Sequence, residues 1–353
     1  MARDSRRRTS IRIPAEWEPH ACCWMAWAVH REWSPREAAR IRRDLTKVVR
    51  TIARFEPVRL LAPPGRAFHE ARRRFSDCHP VTVIEAPVDD FWMRDIMPTF
   101  AIHSRGVSRQ ILAINWNFNG WGGTPDRPAR AGDQLATSAA AEIFGVQRTT
   151  VSFVAEGGAF AFDGCGTVIT TRSCLLNPNR NPVRRGVAAD LAIASGLREL
   201  GIRKVIWLEG DPGEPITSGH VDGFVVWAPG GRILVEGIDD RDSEMPVSRE
   251  RDIRVLEQST NADGRSLRVV RLAPPRKRYR NGDRDLFAAA YLNVYITNGA
   301  VIGQRFGDPE RDELARVALA KAFPGREVIL LRIDAIAEGG GGVHCLTQPM
   351  PAI

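Results

Sequence analysis

The chain has 353 residues, of which 43% are hydrophobic and 26% are charged, a composition typical of a globular protein with a substantial core. No apolar run approaches the ~20 residues of a membrane helix, and no apolar segment of the signal-peptide kind follows the basic N-terminus. We therefore expect a cytoplasmic protein with no membrane partner. Six cysteines without metal-type CxxC spacing suit a reducing compartment: Cys22, Cys23, Cys78, Cys165, Cys174 and Cys345.

The formal net charge of +8 raises the question of nucleic-acid binding. Half of this excess lies in residues 1–12, which contain five arginines and one aspartate and are predicted to form a disordered basic arm. The other half is spread over the remaining 341 residues. A second basic run, at 276–280, is expected to be a solvated loop or part of a rim over the site. We expect no nucleic-acid partner.

Five stretches carry the apolar periodicity of amphipathic helices. They lie near 35–53, 134–144, 183–200, 247–259 and 309–323. Ser34 and Pro35 mark the start of the first, and Asp308 and Pro309 mark the start of the last. Strand patterns lie between them, at 58–61, 81–84, 168–171, 205–208, 223–227, 233–236, 292–296 and 328–331. Residues 13–353 contain no linker, so the pattern predicts one α/β domain built from five modules.

Several polar or aromatic motifs lie between these elements. Trp24 and Trp27 are expected to pack in the core. Asp95 follows the strand at 81–84, a position from which loops commonly enter functional sites. The loop at 115–123 is expected to be scaffold or pocket wall, and the turn at 175–182 is interpreted as structural.

Two further motifs place polar residues beside glycines. Glu156 precedes two glycines, where the backbone can approach a ligand closely. His220 and Asp222 open a strand pattern, so their side chains are expected on the same face. A His-x-Asp pair suits acid–base catalysis or metal binding, but the other six histidines form no matching cluster, so no metal is expected.

The most informative stretch lies near the C-terminus, where Gly339–Gly342 precedes Val343, His344 and Cys345. Consecutive glycines allow the backbone to press against a ligand. A free cysteine often serves only as a small buried hydrophobe. Because a histidine and isolated carboxylates occur in motifs elsewhere, as an activated thiol requires, we interpret Cys345 as a nucleophile.

The candidate set therefore contains one thiol, one histidine and three carboxylates. A cysteine and a histidine with one carboxylate would suit acyl transfer, but a neutral amide does not call for three carboxylates. Converging carboxylates favour a cation, and the planar guanidinium group binds carboxylates through paired hydrogen bonds. Its central carbon is then open to attack by a thiolate. These residues predict a guanidine-modifying enzyme.

The motifs at 14–20, 24–27, 92–95, 115–123, 156–158, 175–182, 219–222, 291–295 and 340–348 occur in an order that is similar to a known family. The chain resembles the agmatine deiminases, in the peptidyl-arginine-deiminase-type branch of the guanidine-modifying pentein superfamily. This resemblance implies an α/β fold that forms a five-bladed propeller, with pseudo-fivefold symmetry and a central active site. It also implies that no metal and no organic cofactor is used.

The resemblance implies a role for each candidate residue. Cys345 is the expected nucleophile, which forms a covalent thiouronium intermediate, and His220 is the expected acid–base. Asp95 and Asp222 are the expected guanidinium clamp, and Glu156 binds a substrate nitrogen and orients His220. The implied reaction converts a small cationic guanidine, agmatine, to N-carbamoylputrescine and ammonia.

Substrate contacts are expected at Trp92, Asp95, Asp222, Glu214 and Gly341. Glu214 lies in an acidic stretch, 211–217, that is placed to meet a distal amine. Met97 departs from the family pattern of a small residue before proline, and Pro349 follows Gln348 where the family generally has a polar residue. Both departures bear on the identity of the substrate.

Alternatives within the same chemistry remain open. One is a deiminase of free arginine, peptidyl arginine or a secondary-metabolite guanidine, with Arg94 or the 276–280 run binding a carboxylate. Another is an amidinotransferase, which passes the same intermediate to an amine. A non-catalytic binding protein is disfavoured because all five chemical residues are present. The sequence leaves a homo-oligomer open.

Overall fold

The computed structural model describes residues 9–30, 32–123, 132–133, 142, 145–182, 188–237, 248–276 and 286–353. Its strands are β1 Thr9–Arg12, β2 His20–Ala26, β3 Val58–Ala62, β4 Val81–Glu85, β5 Thr99–Arg105, β6 Ser108–Asn115, β7 Gln147–Thr150, β8 Ala161–Phe162, β9 Thr167–Thr171, β10 Lys204–Leu208, β11 Val225–Ala228, β12 Arg232–Glu236, β13 Arg268–Leu272, β14 Tyr295–Ile296, β15 Ala300–Gln304, β16 Glu327–Leu331 and β17 Gln348–Pro351.

The helices lie between these strands. They are α1 Pro35–Ile52, α2 Arg66–Arg74, α3 Met93–Ile96, α4 Arg172–Leu175, α5 Ala189–Glu199, α6 Arg249–Gln258, α7 Pro309–Ala322 and α8 Asp334–Ala337. Four of the predicted long helices are confirmed as α1, α5, α6 and α7. The predicted helix at 134–144 falls almost wholly outside the described residues.

Within the described residues, the strands form five separate sheets. Their strand orders are β17-β2-β3-β4, β1-β5-β6-β7, β10-β9-β8, β11-β12-β13 and β14-β15-β16. Each sheet is mixed, since it contains at least one parallel and one antiparallel pair. The last strand of the chain, β17, pairs with β2, so the C-terminus closes onto the first sheet.

The long helix α1 shows how local sequence and packing agree. The Ser34 side chain accepts the Glu37 backbone N–H and the Glu37 carboxylate accepts the Ser34 N–H, a capping box at the helix start. Pro35 occupies the first helical position. The face that carries Ile41 and Leu45 is buried and packs in a cluster that also contains Trp24 and Trp27, which confirms the predicted core position of both tryptophans.

The prediction of a disordered arm over residues 1–12 is wrong at its C-terminal end. Thr9–Arg12 forms β1 and pairs antiparallel with β5. An edge strand needs backbone hydrogen bonds on one side only, so a polar sequence does not prevent pairing. The Arg12 side chain is held by an ion pair with Glu18, with 2.5 Å between Nη1 and Oε1. Residues 1–8 lie outside the described residues.

Two predicted strands are shorter than expected. The strand predicted over 223–227 begins at Val225, because residues Val221–Gly223 form a turn of 3-10 helix. The strand predicted over 292–296 is reduced to Tyr295–Ile296. In both cases the missing residues lie in connections that carry buried polar side chains, described below. None of the described helices combines the length and apolar character that a membrane crossing requires.

Candidate active site

Each connection from one sheet to the next contributes to a single cluster of polar side chains. These contributions are Asp95 between β4 and β5, Glu156 between β7 and β8, His220 and Asp222 between β10 and β11, Asn293 between β13 and β14, and Cys345 between β16 and β17. All of them except the partly buried Cys345 are buried. Loops from five sheets therefore meet at one place.

Cys345 lies in the loop that follows α8, and the glycines before it are sterically required. A Cβ on Gly341 would lie 2.4 Å from Cζ3 of Trp92, and a Cβ on Gly342 would lie 2.7 Å from Oδ1 of Asn293. Gly340 adopts a φ of +91°, a left-handed conformation that favours glycine. The run thus lets the backbone pack directly against Trp92 and Asn293.

The Cys345 thiol lies between an amide and a carboxylate. Asn293 Nδ2 donates to Sγ at 3.2 Å, and Oδ1 of the same side chain accepts the Cys345 backbone N–H at 3.3 Å. Asp222 Oδ2 lies 3.6 Å from Sγ. Burial, together with the negative charges of Asp222 and Asp95, raises the pKa of the Cys345 thiol well above its usual value. Without a cation beside it, Cys345 is a thiol at neutral pH.

Asp95 is held by one backbone and one side-chain donor. The Gly158 N–H donates to Oδ1 at 2.8 Å, and Trp121 Nε1 donates to Oδ2 at 2.8 Å. Burial is the largest influence on the Asp95 carboxyl, and with the charges of Glu156 and Asp222 it raises the pKa despite the opposing charge of His220. The charge of His220 only partly offsets the burial of this carboxylate, so a bound cation would stabilise it further.

Glu156 forms a fully buried ion pair. Arg180 donates to Oε1 from Nε at 3.1 Å and from Nη2 at 2.7 Å, and both side chains are 0% exposed. Burial opposes the charge on Glu156, but His220 and Arg180 lower its pKa to about 2. The other oxygen, Oε2, has no hydrogen-bond partner among the described residues. Glu156 therefore keeps one free acceptor in the site.

His220 is oriented by carboxylates on both ring nitrogens. Nε2 lies 2.9 Å from Glu156 Oε1, and Nδ1 lies 3.8 Å from Asp222 Oδ1. Burial opposes the charged ring, but Asp95, Cys174 and Glu156 outweigh it and raise the pKa of His220 well above its usual value. His220 is therefore an imidazolium at neutral pH, ready to act as a general acid.

Asp222 belongs to a second network that leads away from the thiol. His344 Nδ1 lies 2.7 Å from Asp222 Oδ2, and His344 Nε2 lies 2.7 Å from Glu16 Oε1. Arg94 Nη1 donates to the same Glu16 oxygen at 2.8 Å. Burial opposes the charge on Asp222, but the hydrogen bond from His344 and its charge lower the pKa of Asp222.

One set of side chains has metal-ligand composition. The ligand atoms of Glu156, Cys174 and His220 lie within 4.8 Å of one another. The Arg180 guanidinium donates to the same Glu156 oxygen, and its positive charge disfavours a metal cation at this position.

Two pockets adjoin the His344 network. One has about 370 Å³ of empty volume, part of it open to solvent, and is lined in part by Glu16, Asp222 and His344, with Trp17 and Phe160 on its apolar side. The other has about 480 Å³, also partly open to solvent, and is lined in part by Glu16 and Arg94. The network therefore lies between the polar cluster around Cys345 and these pockets.

Comparison with known proteins gives a consistent result over the whole chain. The sequence profile of the Porphyromonas-type peptidyl-arginine deiminases matches residues 12–351. An agmatine deiminase of Pseudomonas aeruginosa is 36% identical over 98% of this chain and 97% of that protein. An agmatine deiminase of Medicago truncatula is 35% identical over 97% and 96%.

The chain belongs to the Porphyromonas-type peptidyl-arginine deiminase family. Its resemblance to the agmatine deiminases is confirmed.

Solved structures in this family share the fold. The structure of the Enterococcus faecalis agmatine deiminase, described as catalysing its reaction, is 30% identical and superposes with a TM-score of 0.85 over 97% of this chain and 96% of that one. A C. jejuni agmatine deiminase with substrate bound is 22% identical, with a TM-score of 0.83 over 98% and 97%. At that identity the second likeness concerns the fold alone.

The structure brings together all five residues predicted to carry the chemistry of this family. Trp92 and Gly341, predicted to contact substrate, lie beside them, since the Trp92 ring packs against the glycine run and a Cβ on Gly341 would lie 3.1 Å from the Cys345 Cβ. The loop at 115–123, predicted as scaffold or pocket wall, supplies Trp121 to Asp95.

Glu214, predicted to contact the substrate, is bonded within its own loop. Its carboxylate accepts the backbone N–H groups of Ile216, Thr217 and Gly219, at 3.0, 2.5 and 3.2 Å, and the Thr217 hydroxyl at 2.6 Å. These bonds organise the loop before His220. The contact with a distal amine stays a prediction.

Sequence reasoning missed five residues that complete the site. Asn293, Arg180, Trp121, His344 and Glu16 all bond to a predicted residue or to a partner of one. His344 adjoins Cys345 in the chain and Glu16 lies in an N-terminal motif. Both residues therefore lie in motifs that the sequence singled out, but the sequence does not indicate their hydrogen-bond partners. Arg180 lies in a turn that was interpreted as structural.

Proposed function

We propose that this chain hydrolyses the guanidinium group of agmatine to N-carbamoylputrescine and ammonia through a covalent intermediate on Cys345. Its relatives at 36% and 35% identity are agmatine deiminases over nearly their full length. The observation that carries the proposal is the convergence of five inter-sheet loops on one partly buried thiol with buried carboxylates around it.

The substrate is held by charge. Asp95 and Asp222 clamp the guanidinium, and each carboxylate accepts one or two hydrogen bonds from the N–H groups of the cation. The free oxygen of Glu156 accepts a further substrate N–H, which satisfies a buried acceptor. Trp92 and Gly341 bound the site beside the reacting carbon, and the acidic loop at 211–217 faces the amine of the substrate tail.

The first half-reaction replaces a C–N bond by a C–S bond. Binding of the cation between Asp95 and Asp222 offsets the negative charges that keep Cys345 protonated, so the thiol releases its proton to solvent. The sulfur then attacks the guanidinium carbon with an electron pair. The C–N bond breaks, His220 gives its proton to the leaving nitrogen, and ammonia departs.

The second half-reaction restores the enzyme. Neutral His220, held against Glu156, takes a proton from a water molecule while the water oxygen attacks the thiouronium carbon. The C–S bond breaks with its electron pair on sulfur, and the product carries the new C=O group. As the C=O group forms, its hydroxyl proton passes to the sulfur, so the His220 imidazolium and the Cys345 thiol are restored for the next cycle.

The convergence of the inter-sheet loops on one cluster also supports a closed architecture. The five mixed sheets act as the blades of an α/β propeller with pseudo-fivefold symmetry, because each inter-sheet loop reaches the same cluster and β17 joins the first sheet. On this proposal, residues 13–353 form one domain with the active site on its axis.

The test is ammonia release from agmatine, free arginine, a blocked arginine peptide and other guanidino amines, with Cys345→Ala as control. We expect turnover of agmatine, no turnover by Cys345→Ala, and retained agmatine binding by that variant in calorimetry. Turnover of another guanidine in place of agmatine would show that the chain is a deiminase of that other substrate. Ammonia release that persists in Cys345→Ala would overturn the proposed nucleophile.

A further inference from the structure

Four charged side chains form an alternating chain beside the catalytic cluster. Arg94, Glu16, His344 and Asp222 follow one another with separations of 2.8, 2.7 and 2.7 Å between their nitrogen and oxygen atoms. The chain ends at Asp222 Oδ2, which lies 3.6 Å from Cys345 Sγ. It thus reaches the thiol from the side of the two pockets that Glu16 lines.

The geometry fixes the proton count of His344. Both ring nitrogens face a carboxylate oxygen at 2.7 Å, and a neutral imidazole has only one N–H to donate. The second nitrogen would then direct a lone pair at a carboxylate oxygen, which is repulsive. With both nitrogens protonated, the four groups alternate in sign and the network is neutral overall.

We propose that His344 is a permanently charged positioning residue, which fixes the Asp222 carboxylate against Cys345 and keeps it ionised throughout the cycle. This inference deepens the proposed function and rests on it only for the role of Asp222. The His344 ring is hydrogen-bonded to Oδ2 of Asp222, while Oδ1 faces the His220 ring. One oxygen is thereby left to the substrate guanidinium.

The surroundings of both residues support this role. Among the described residues, the titratable and charged groups that face Asp222 are His344, His220, Cys345, Arg94 and Asp95. Those that face His344 are Asp222, Glu16 and Arg94. Burial and Arg94 oppose the charge on His344, but the two carboxylates outweigh them and raise its pKa.

The far end of the network is anchored to the nucleophile loop. The Arg94 backbone N–H donates to the Cys345 carbonyl at 3.1 Å, and Arg94 Nε donates to the His344 carbonyl at 3.4 Å. Arg94 and His344 together lower the pKa of Glu16 to about 2 despite its burial. The network of Arg94, Glu16, His344 and Asp222 therefore keeps its charges near neutral pH.

The first test is independent of catalysis. Heteronuclear NMR of the histidine rings in Cys345→Ala protein, with the His344 signal assigned by His344→Gln, reports the protonation of each nitrogen. We expect both nitrogens of His344 to carry protons from about pH 6 to about pH 9. A neutral ring near pH 7.5 would overturn the proposal, whether or not agmatine is the substrate.

The second test separates positioning from support of the fold. In His344→Gln, the loss of the positive charge should move the acid limb of kcat/KM upward by roughly one pH unit or more, since an adjacent charge typically lowers an aspartate pKa by 1–3. KM for agmatine should rise because the clamp is partly protonated. Glu16→Gln retains the histidine and should shift the same limb by less.

The matched control is His103→Gln, which removes a buried histidine from β5. It should leave the pH profile unchanged. If His344→Gln and Glu16→Gln lower only the melting temperature and keep the wild-type acid limb, His344 is structural and the proposal is wrong.

Discussion

The Gly158 backbone N–H donates to Asp95 Oδ1 at 2.8 Å, and no side chain fits at this glycine. A Cβ there would lie 2.5 Å from Nδ1 of His220 and 2.9 Å from Asp95 Oδ1. Gly158 therefore separates His220, the proposed acid–base, from Asp95, one arm of the proposed guanidinium clamp, and sets the distance between them.

Gly158→Ala should lower kcat/KM for agmatine by roughly 100-fold, because a displacement of about 1 Å in a catalytic group can cost that much. Gly223→Ala is the matched control, since a Cβ at Gly223 meets nothing within 4 Å. Steady-state ammonia release by both variants is the measurement. Equal activity of the two would show that the close approach at Gly158 does not position His220.

Arg180→Met should destabilise the fold by about 3–5 kcal/mol, because it leaves the buried Glu156 charge without its partner. Arg54→Met removes one partner of an exposed pair with Glu327 and should cost less than about 1 kcal/mol. Urea unfolding of both variants measures the difference. A loss no larger than that of Arg54→Met would contradict the buried-pair account, and Arg180→Met/Glu156→Gln should recover stability without activity.

The raised pKa of the Cys345 thiol predicts slow alkylation by iodoacetamide at neutral pH. The rate should rise about tenfold per pH unit below that pKa, because only the thiolate reacts. Guanidinium ion should accelerate alkylation at constant pH, since the cation offsets Asp95 and Asp222. Putrescine is the control cation, and Cys345→Ala gives the labelling of the other cysteines. A pH-independent rate would show that Cys345 is already a thiolate in the free protein.

Asp133 gives a prediction for stability. Its Oδ1 accepts the N–H groups of Asp89 and Asp90 at 2.9 and 3.0 Å. Burial, and next the charge of Asp90, raise the pKa of Asp133 from 3.8 to about 7. A carboxyl with a raised folded-state pKa contributes stability that is complete below its unfolded pKa and is lost as pH rises through the folded value.

Asp133→Asn keeps the acceptor oxygen and removes the titration. It should therefore increase the free energy of unfolding at about pH 8, by on the order of 2 kcal/mol, and change it little at about pH 4. Denaturant unfolding at the two pH values is the measurement. The same difference at both would mean that Asp133 titrates normally in the folded protein.

The five residues that the structure brings together could be selected from the sequence because each lies in a compact motif of unusual composition. Cys345 follows a glycine run, Glu156 precedes two glycines, and His220 and Asp222 are flanked by glycines. Such motifs mark places where the backbone approaches a ligand or a neighbouring side chain. Here the glycines accommodate Trp92, Asn293 and the His220 ring.

The hydrogen-bond partners of these residues could not be predicted from the sequence in the same way. Glu16 and His344 are 328 positions apart in the chain, and pairing at that distance depends on the tertiary fold. Asn293 lies in an apolar strand pattern, where a single amide has no periodic signature. The strand predicted around it is short because the chain turns there to bring that amide to Cys345.

The central claim is that Cys345 carries the reaction as a covalent intermediate. The direct measurement is intact-protein and peptide mass spectrometry after acid quenching during agmatine turnover. The account predicts an adduct on Cys345 with the mass of agmatine less ammonia, absent from Cys345→Ala. Full turnover with no adduct, or an adduct on another cysteine, would contradict it.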